Sequence, residues 1–68
     1  MKYKIIRSDR AANKDVKVGD LVHSCKGYDY GCSSDDTRIT GIEHISVTLD
    51  ENGDYPFFTI PDEDLERL

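Results

Sequence analysis

Apolar and polar positions alternate along this chain in short runs, and turn-forming residues separate the runs. The segment "KYKIIR" (2–7) is β-branched and charged at both ends, and it predicts a first strand. "SDRAANKD" (8–15) is rich in turn and cap formers. It reads as a loop or one helical turn, with Ser8 or Asp9 placed to cap "RAAN". In "VKVGDLVHSC" (16–25), Val16 and Val18 alternate with Lys17, Gly19-Asp20 marks a tight turn, and "LVHSC" follows as a strand. "TRIT" (37–40) predicts a brief strand ended by Gly41. The strictest alternation lies in "EHISVTL" (43–49). Ile45, Val47 and Leu49 point one way there, and His44, Ser46 and Thr48 point the other, onto a solvated outer side. Asn52-Gly53 supplies the positive φ of a hairpin turn, and "YPFFTI" (55–60) returns. Pro56 has no amide hydrogen and so belongs at an edge or a strand's start. "PDEDLERL" (61–68) predicts a terminal helical turn, with Pro61 in its first turn, acids at its positive end, and Leu65 and Leu68 covering one end of the fold.

These elements add up to an all-β fold, a small SH3-like barrel or strongly bent sheet of about five strands with a short C-terminal helical turn. Residues 1–68 read as a single domain, because a chain this short has no room for two cores. The expected core is Tyr3, Ile5, Val18, Leu21, Ile39, Ile45, Val47, Leu49, Phe58, Ile60 and Leu65, with the choice between Phe57 and Phe58 left to the register. The Val-x-Val-Gly-Asp-x-Val arrangement of residues 16–22 resembles the opening of many small SH3-like β-barrels, where the Gly-Asp turn leads into a barrel strand.

A domain of this size buries only about 60% of its unfolded surface, so a homo-oligomer is an expectation from length alone. The charged fraction is 34% against 37% hydrophobic, but the apolar residues are clustered and β-branched, which argues for a folded domain over a disordered chain. Net charge is −5 and unevenly spread: residues 1–17 hold six Lys or Arg against two Asp, and residues 50–68 hold seven acids against Arg67. Direct nucleic-acid binding by the whole molecule is not expected, because phosphate neutralisation needs a basic face. No apolar run approaches the roughly 18 residues of a membrane span, and "MKYKIIRSDR" lacks the pattern of a signal peptide, so a cytoplasmic location is expected.

The chemistry-bearing residues concentrate in "KGYDYGCSSDDTR" (26–38), thirteen positions without Ile, Leu, Val, Met or Phe. Arg38 offers a planar fork of donors suited to phosphate or carboxylate. Backbone amides around Gly27 and Gly31 can form an anion nest, and Tyr28 and Tyr30 can stack on a base. Lys26, Asp35, Asp36, Thr37 and His44 complete a set suited to a nucleotide-like ligand, including one shared between subunits. The alternative is structural: Asp35 and Asp36 cap a turn, Arg38 pairs with one of them, and the tyrosines pack at the rim. His23, Cys25, Cys32 and His44 can be written as a zinc set, but the spacing is not that of a finger. The two cysteines read instead as half-buried thiols, one on a strand and one in a loop, and no metal or cofactor is expected. No G-x-S-x-G, H-E-x-x-H or phosphate-loop motif is present, and the reading is non-enzymatic.

The pieces "GYDYG", "DDTR", "EHISVTL", "GDYPFFTIP" and "DLE" resemble a group of short bacteriophage and prophage proteins of no established function, over most of residues 16–66. The resemblance implies a small protein of the infected bacterial cytoplasm. Three roles follow as expectations. The first is antagonism of a bacterial defence by binding, including capture of a nucleotide-like signal. The second is an SH3-like inhibitor that binds a host nuclease or CRISPR complex through its acidic surface. The third is a virion structural or assembly protein.

Overall fold

The β-branched runs become strands. β1 (Lys2–Ile5), β2 (Leu21–Ser24), β3 (His44–Thr48), β4 (Phe57–Pro61) and β5 (Leu65–Arg67) form one antiparallel sheet in the order β4-β3-β2-β1-β5. The structure is a computed structural model and describes residues 1–26 and 32–68. One helix, α1 (Cys32–Thr40), lies between β2 and β3, and a 3-10 turn (Asp62–Asp64) links β4 to β5. The fold is thus mostly β, with an open sheet that is not closed into a barrel. Its two edge strands are consecutive in sequence, so the 3-10 turn carries the chain from one edge to the other.

Register sorts the side chains into two faces. The pairs Tyr3↔Val22, Ile5↔Leu65, Val47↔Phe58 and Ile45↔Ile60 put these eight residues on one face. Ala11 and Val16, from the connection between β1 and β2, cover that face and complete the core. Burial of each large aliphatic side chain there stabilises the fold by about 1.5–3 kcal/mol. Phe58, not Phe57, packs against the core.

Several expectations are corrected. Val18, Leu21, Ile39 and Leu49 are exposed, while Ala11, Val16 and Val22 are buried. Leu21 and Val22 are neighbours on a strand, and a register one residue away from the expected one exchanges their faces. Val18 sits in the tight turn itself: Asp20 accepts the Lys17 amide through its carboxylate and donates its own amide to the Lys17 carbonyl, with Gly19 at φ +97. "TRIT" is the end of α1, not a strand. Its threonine hydroxyls donate to carbonyls four residues back, Thr37 to Ser33 and Thr40 to Asp36, and so fit the helix. Gly41 does end the element, at φ +76, with its amide bonded to the Thr37 carbonyl. The predicted C-terminal helical turn is a single 3-10 turn followed by a strand. Pro61 closes β4, β5 pairs with β1, and Leu65 is buried while Leu68 is exposed. Gly53 has the expected positive φ of +82, but β3 ends at Thr48 and β4 starts at Phe57, so the connection is longer than a two-residue turn. The Asp50 carboxylate organises it by accepting the amides of Asn52 and Asp54.

Candidate functional site

The second face of the β3–β4 hairpin carries His44, Ser46 and Thr48, with Thr59 opposite Ser46. It is not the solvated side that alternation predicts. Thr48 and Thr59 are buried, because α1 lies over one end of the face and residues 49–56 fold over the other. The Thr48 hydroxyl donates to the Asp54 carbonyl (2.7 Å) and accepts the Asp50 amide (3.1 Å).

α1 reaches this face through polar side chains. Asp36 accepts a hydrogen bond from the Thr59 hydroxyl at 2.5 Å. The Thr37 hydroxyl accepts the His44 amide at 2.9 Å while donating to the Ser33 carbonyl at 2.8 Å. His44 Nδ1 lies 2.7 Å from the Ile42 carbonyl, which can only accept; this puts the proton on Nδ1 and leaves Nε2 as an acceptor when the ring is neutral. Three of the predicted ligand-binding residues, Asp36, Thr37 and His44, therefore meet in the seam between helix and hairpin, and they are engaged there within the chain.

The outer side of α1 holds the others. Arg38 donates to Asp35 at 3.1 Å, and both side chains are exposed. Ile39 stands beside them, 76% exposed. Lys26 lies just past the end of β2, its side chain exposed and its amide bonded to the Gly53 carbonyl at 2.7 Å. A Cβ on Gly53 would come within 2.7 Å of the Ser24 carbonyl oxygen and 2.8 Å of the Lys26 nitrogen, so the two backbones meet where only glycine fits. Tyr28 and Tyr30, and the nest expected at Gly27 and Gly31, lie outside the described residues.

The zinc arrangement receives no support. His23 pairs across β2–β3 with Thr48, at the opposite end of β3 from His44. Cys32 opens α1 rather than sitting in a loop, and Cys25 is half-buried just past β2. Among the described residues no group of three or more His, Cys, Asp or Glu is arranged to hold a metal. No helix among them is long and apolar enough to cross a membrane.

One polar cluster escaped sequence reasoning. Asp64 is only 2% exposed, and both of its carboxylate oxygens accept hydrogen bonds from the Arg10 guanidinium. Arg10 also donates to Glu63 at 2.8 Å, and the Asp64 carbonyl accepts the Ile6 amide at 2.9 Å. Those bonds, Asp64 first and Glu63 second, raise the Arg10 pKa above its ordinary value. Nothing local in the sequence pairs an arginine with an acid 54 residues away. The exposed Arg7–Asp9 pair is a separate, nearby feature; the hydrogen bond from Arg7 lowers the Asp9 pKa below the usual carboxylate range.

Comparison of the chain with protein-family models, with curated proteins and with solved structures finds no match.

Proposed function

We propose that the protein is a non-enzymatic binding module of the SH3-like kind, a small phage-type accessory protein that antagonises a bacterial defence in the host cytoplasm. The direct link between the two edge strands through a 3-10 turn supports the SH3-like part of this reading. The observation that carries the binding role is where the described ends of the 26–38 segment attach. One end is fixed by the Lys26–Gly53 backbone contact, and the other by α1 through Asp36 and Thr37. A segment without large aliphatic residues, anchored at both ends to a rigid sheet, is how recognition loops are built.

The ligand this reading favours is nucleotide-like and anionic. Arg38 and Lys26 supply the positive charge, and Tyr28 and Tyr30 supply stacking. An exposed Arg38–Asp35 pair stabilises little by itself, so Arg38 exchanges that carboxylate for a phosphate at small cost. Such a site, completed by a second copy of the chain, gives a homo-oligomer whose solution mass exceeds that of the monomer. Calorimetry and thermal shift against a panel of cyclic and linear nucleotides test it: a binder raises the melting temperature, and Arg38→Ala removes the rise. No binding at high micromolar concentration sinks the nucleotide reading.

A second reading, an inhibitor that binds a host nuclease or CRISPR complex, is favoured by Ile39. It is a large apolar side chain left in solvent next to Arg38, and arginine is enriched at protein interfaces. A purified complex lost in Ile39→Ser but indifferent to nucleotides supports it.

A further inference from the structure

We infer that α1 opens and closes as a unit of its own over the polar face of the β3–β4 hairpin, while the sheet stays folded. The inference goes beyond the proposed ligand and does not need it. Among the described residues, the buried apolar cluster includes no side chain from α1. The side chains turned inward, Ser33, Asp36 and Thr37, are polar, and the aliphatic Ile39 points to solvent. The helix is thus inverted relative to an ordinary amphipathic one.

Among the described residues, α1 is held to the hairpin by hydrogen bonds, the Thr59 hydroxyl donating to Asp36 and the His44 amide to the Thr37 hydroxyl. Water replaces such bonds at a modest net cost, whereas nothing replaces the apolar burial that holds the strands. A helix of nine residues does not persist alone, so release from the hairpin also unwinds it. Gly41 supplies a hinge at its C-terminal end, with a positive φ and open space around its α-carbon. Opening uncovers the Thr59 hydroxyl and the His44 amide as donors, and frees the Asp36 carboxylate as an acceptor. The polar strip closed in the structure is therefore a surface that the molecule presents intermittently.

Amide hydrogen exchange on the full chain tests this. The Gly41 amide, bonded to Thr37, and the other hydrogen-bonded amides of α1 exchange at least about tenfold faster than the Ile5 amide, with little dependence on denaturant. Thr59→Val speeds α1 exchange by a further factor of about ten, still with little dependence on denaturant, and α1 stays faster than the strand amides. Asp36→Ala does the same from the helix side. The inference is overturned if α1 and strand amides exchange at one common rate, or if α1 exchange depends on denaturant as steeply as strand exchange does.

Discussion

The two faces of the β3–β4 hairpin divide the molecule's work between them. On one, Ile45, Val47, Phe58 and Ile60 join side chains from β1, β2 and β5 in a dry cluster. On the other, Thr48 and Thr59 are also hidden from water, yet the partners of their hydroxyls are a carbonyl, a backbone amide and a carboxylate. Burial alone does not distinguish the faces; chemistry does. Apolar contacts resist water and fix the sheet, while hydrogen bonds exchange with water and hold α1 in a reversible way. The segment with the most binding chemistry is attached to the face that can let go.

Substitutions probe this division from the largest effect to the smallest. Gly53 is where the polar side is as unforgiving as the core. Gly53→Ala puts a Cβ at positive φ and against two backbone atoms, at a cost of about 2–5 kcal/mol in urea denaturation. Gly41→Ala meets the same backbone constraint in open space and costs about 1–2 kcal/mol, so the difference between the two isolates the close approach.

Arg10→Ala comes next. It leaves Asp64 buried without its cation, and it lowers the urea midpoint clearly more than Arg7→Ala, whose partner Asp9 stays in water. The pH dependence has a definite sign. The Arg7 and Arg10 pKa values are raised, so loss of their own protons removes stability only in strong alkali. The Asp9 pKa is lowered, so its contribution is present above the unfolded value of about 3.9 and disappears as pH falls through the folded value. Asp9→Asn therefore lowers stability slightly at pH 7, makes no difference at the acid extreme, and flattens the curve between the two. Equilibrium denaturation across that range checks it.

The smallest effect belongs to the outer side of α1. Arg38→Ala and Ile39→Ser change stability by less than about 0.5 kcal/mol, because neither side chain is buried. A loss of ligand or partner binding in either variant then reports on recognition and not on folding.

Much of the sheet was legible in the sequence. β-branched alternation marked the strands, and Gly19, Gly41 and Gly53 marked changes of direction, because both signals are local. The failures share a cause in contacts between distant residues. "TRIT" has strand-forming composition, and it is helical because Thr37 and Asp36 meet His44 and Thr59, the latter 23 residues on. Leu21 and Val22 exchanged places because alternation gives the period of a strand and not its phase. Closure of the sheet was likewise illegible, since it depends on how the edge strands curve. In the site, a pair between Arg38 and one of Asp35 and Asp36 was an alternative the sequence offered, and the helix selects Asp35 through its three-residue spacing. The engagement of Asp36, Thr37 and His44 with the hairpin was not, and neither was the Arg10–Asp64 cluster.

Thr59 and Ile60 are sequence neighbours on β4 that point to opposite faces, which makes them the most direct test. Urea denaturation of Ile60→Ala should show a loss of about 2–5 kcal/mol, as a cavity opens in the core. Thr59→Val should lose less than about 1.5 kcal/mol, because one hydrogen bond to a water-accessible Asp36 is all that is removed. Equal losses at the two positions, or a larger loss at Thr59, would contradict the division between a face that fixes the fold and a face that holds α1 reversibly.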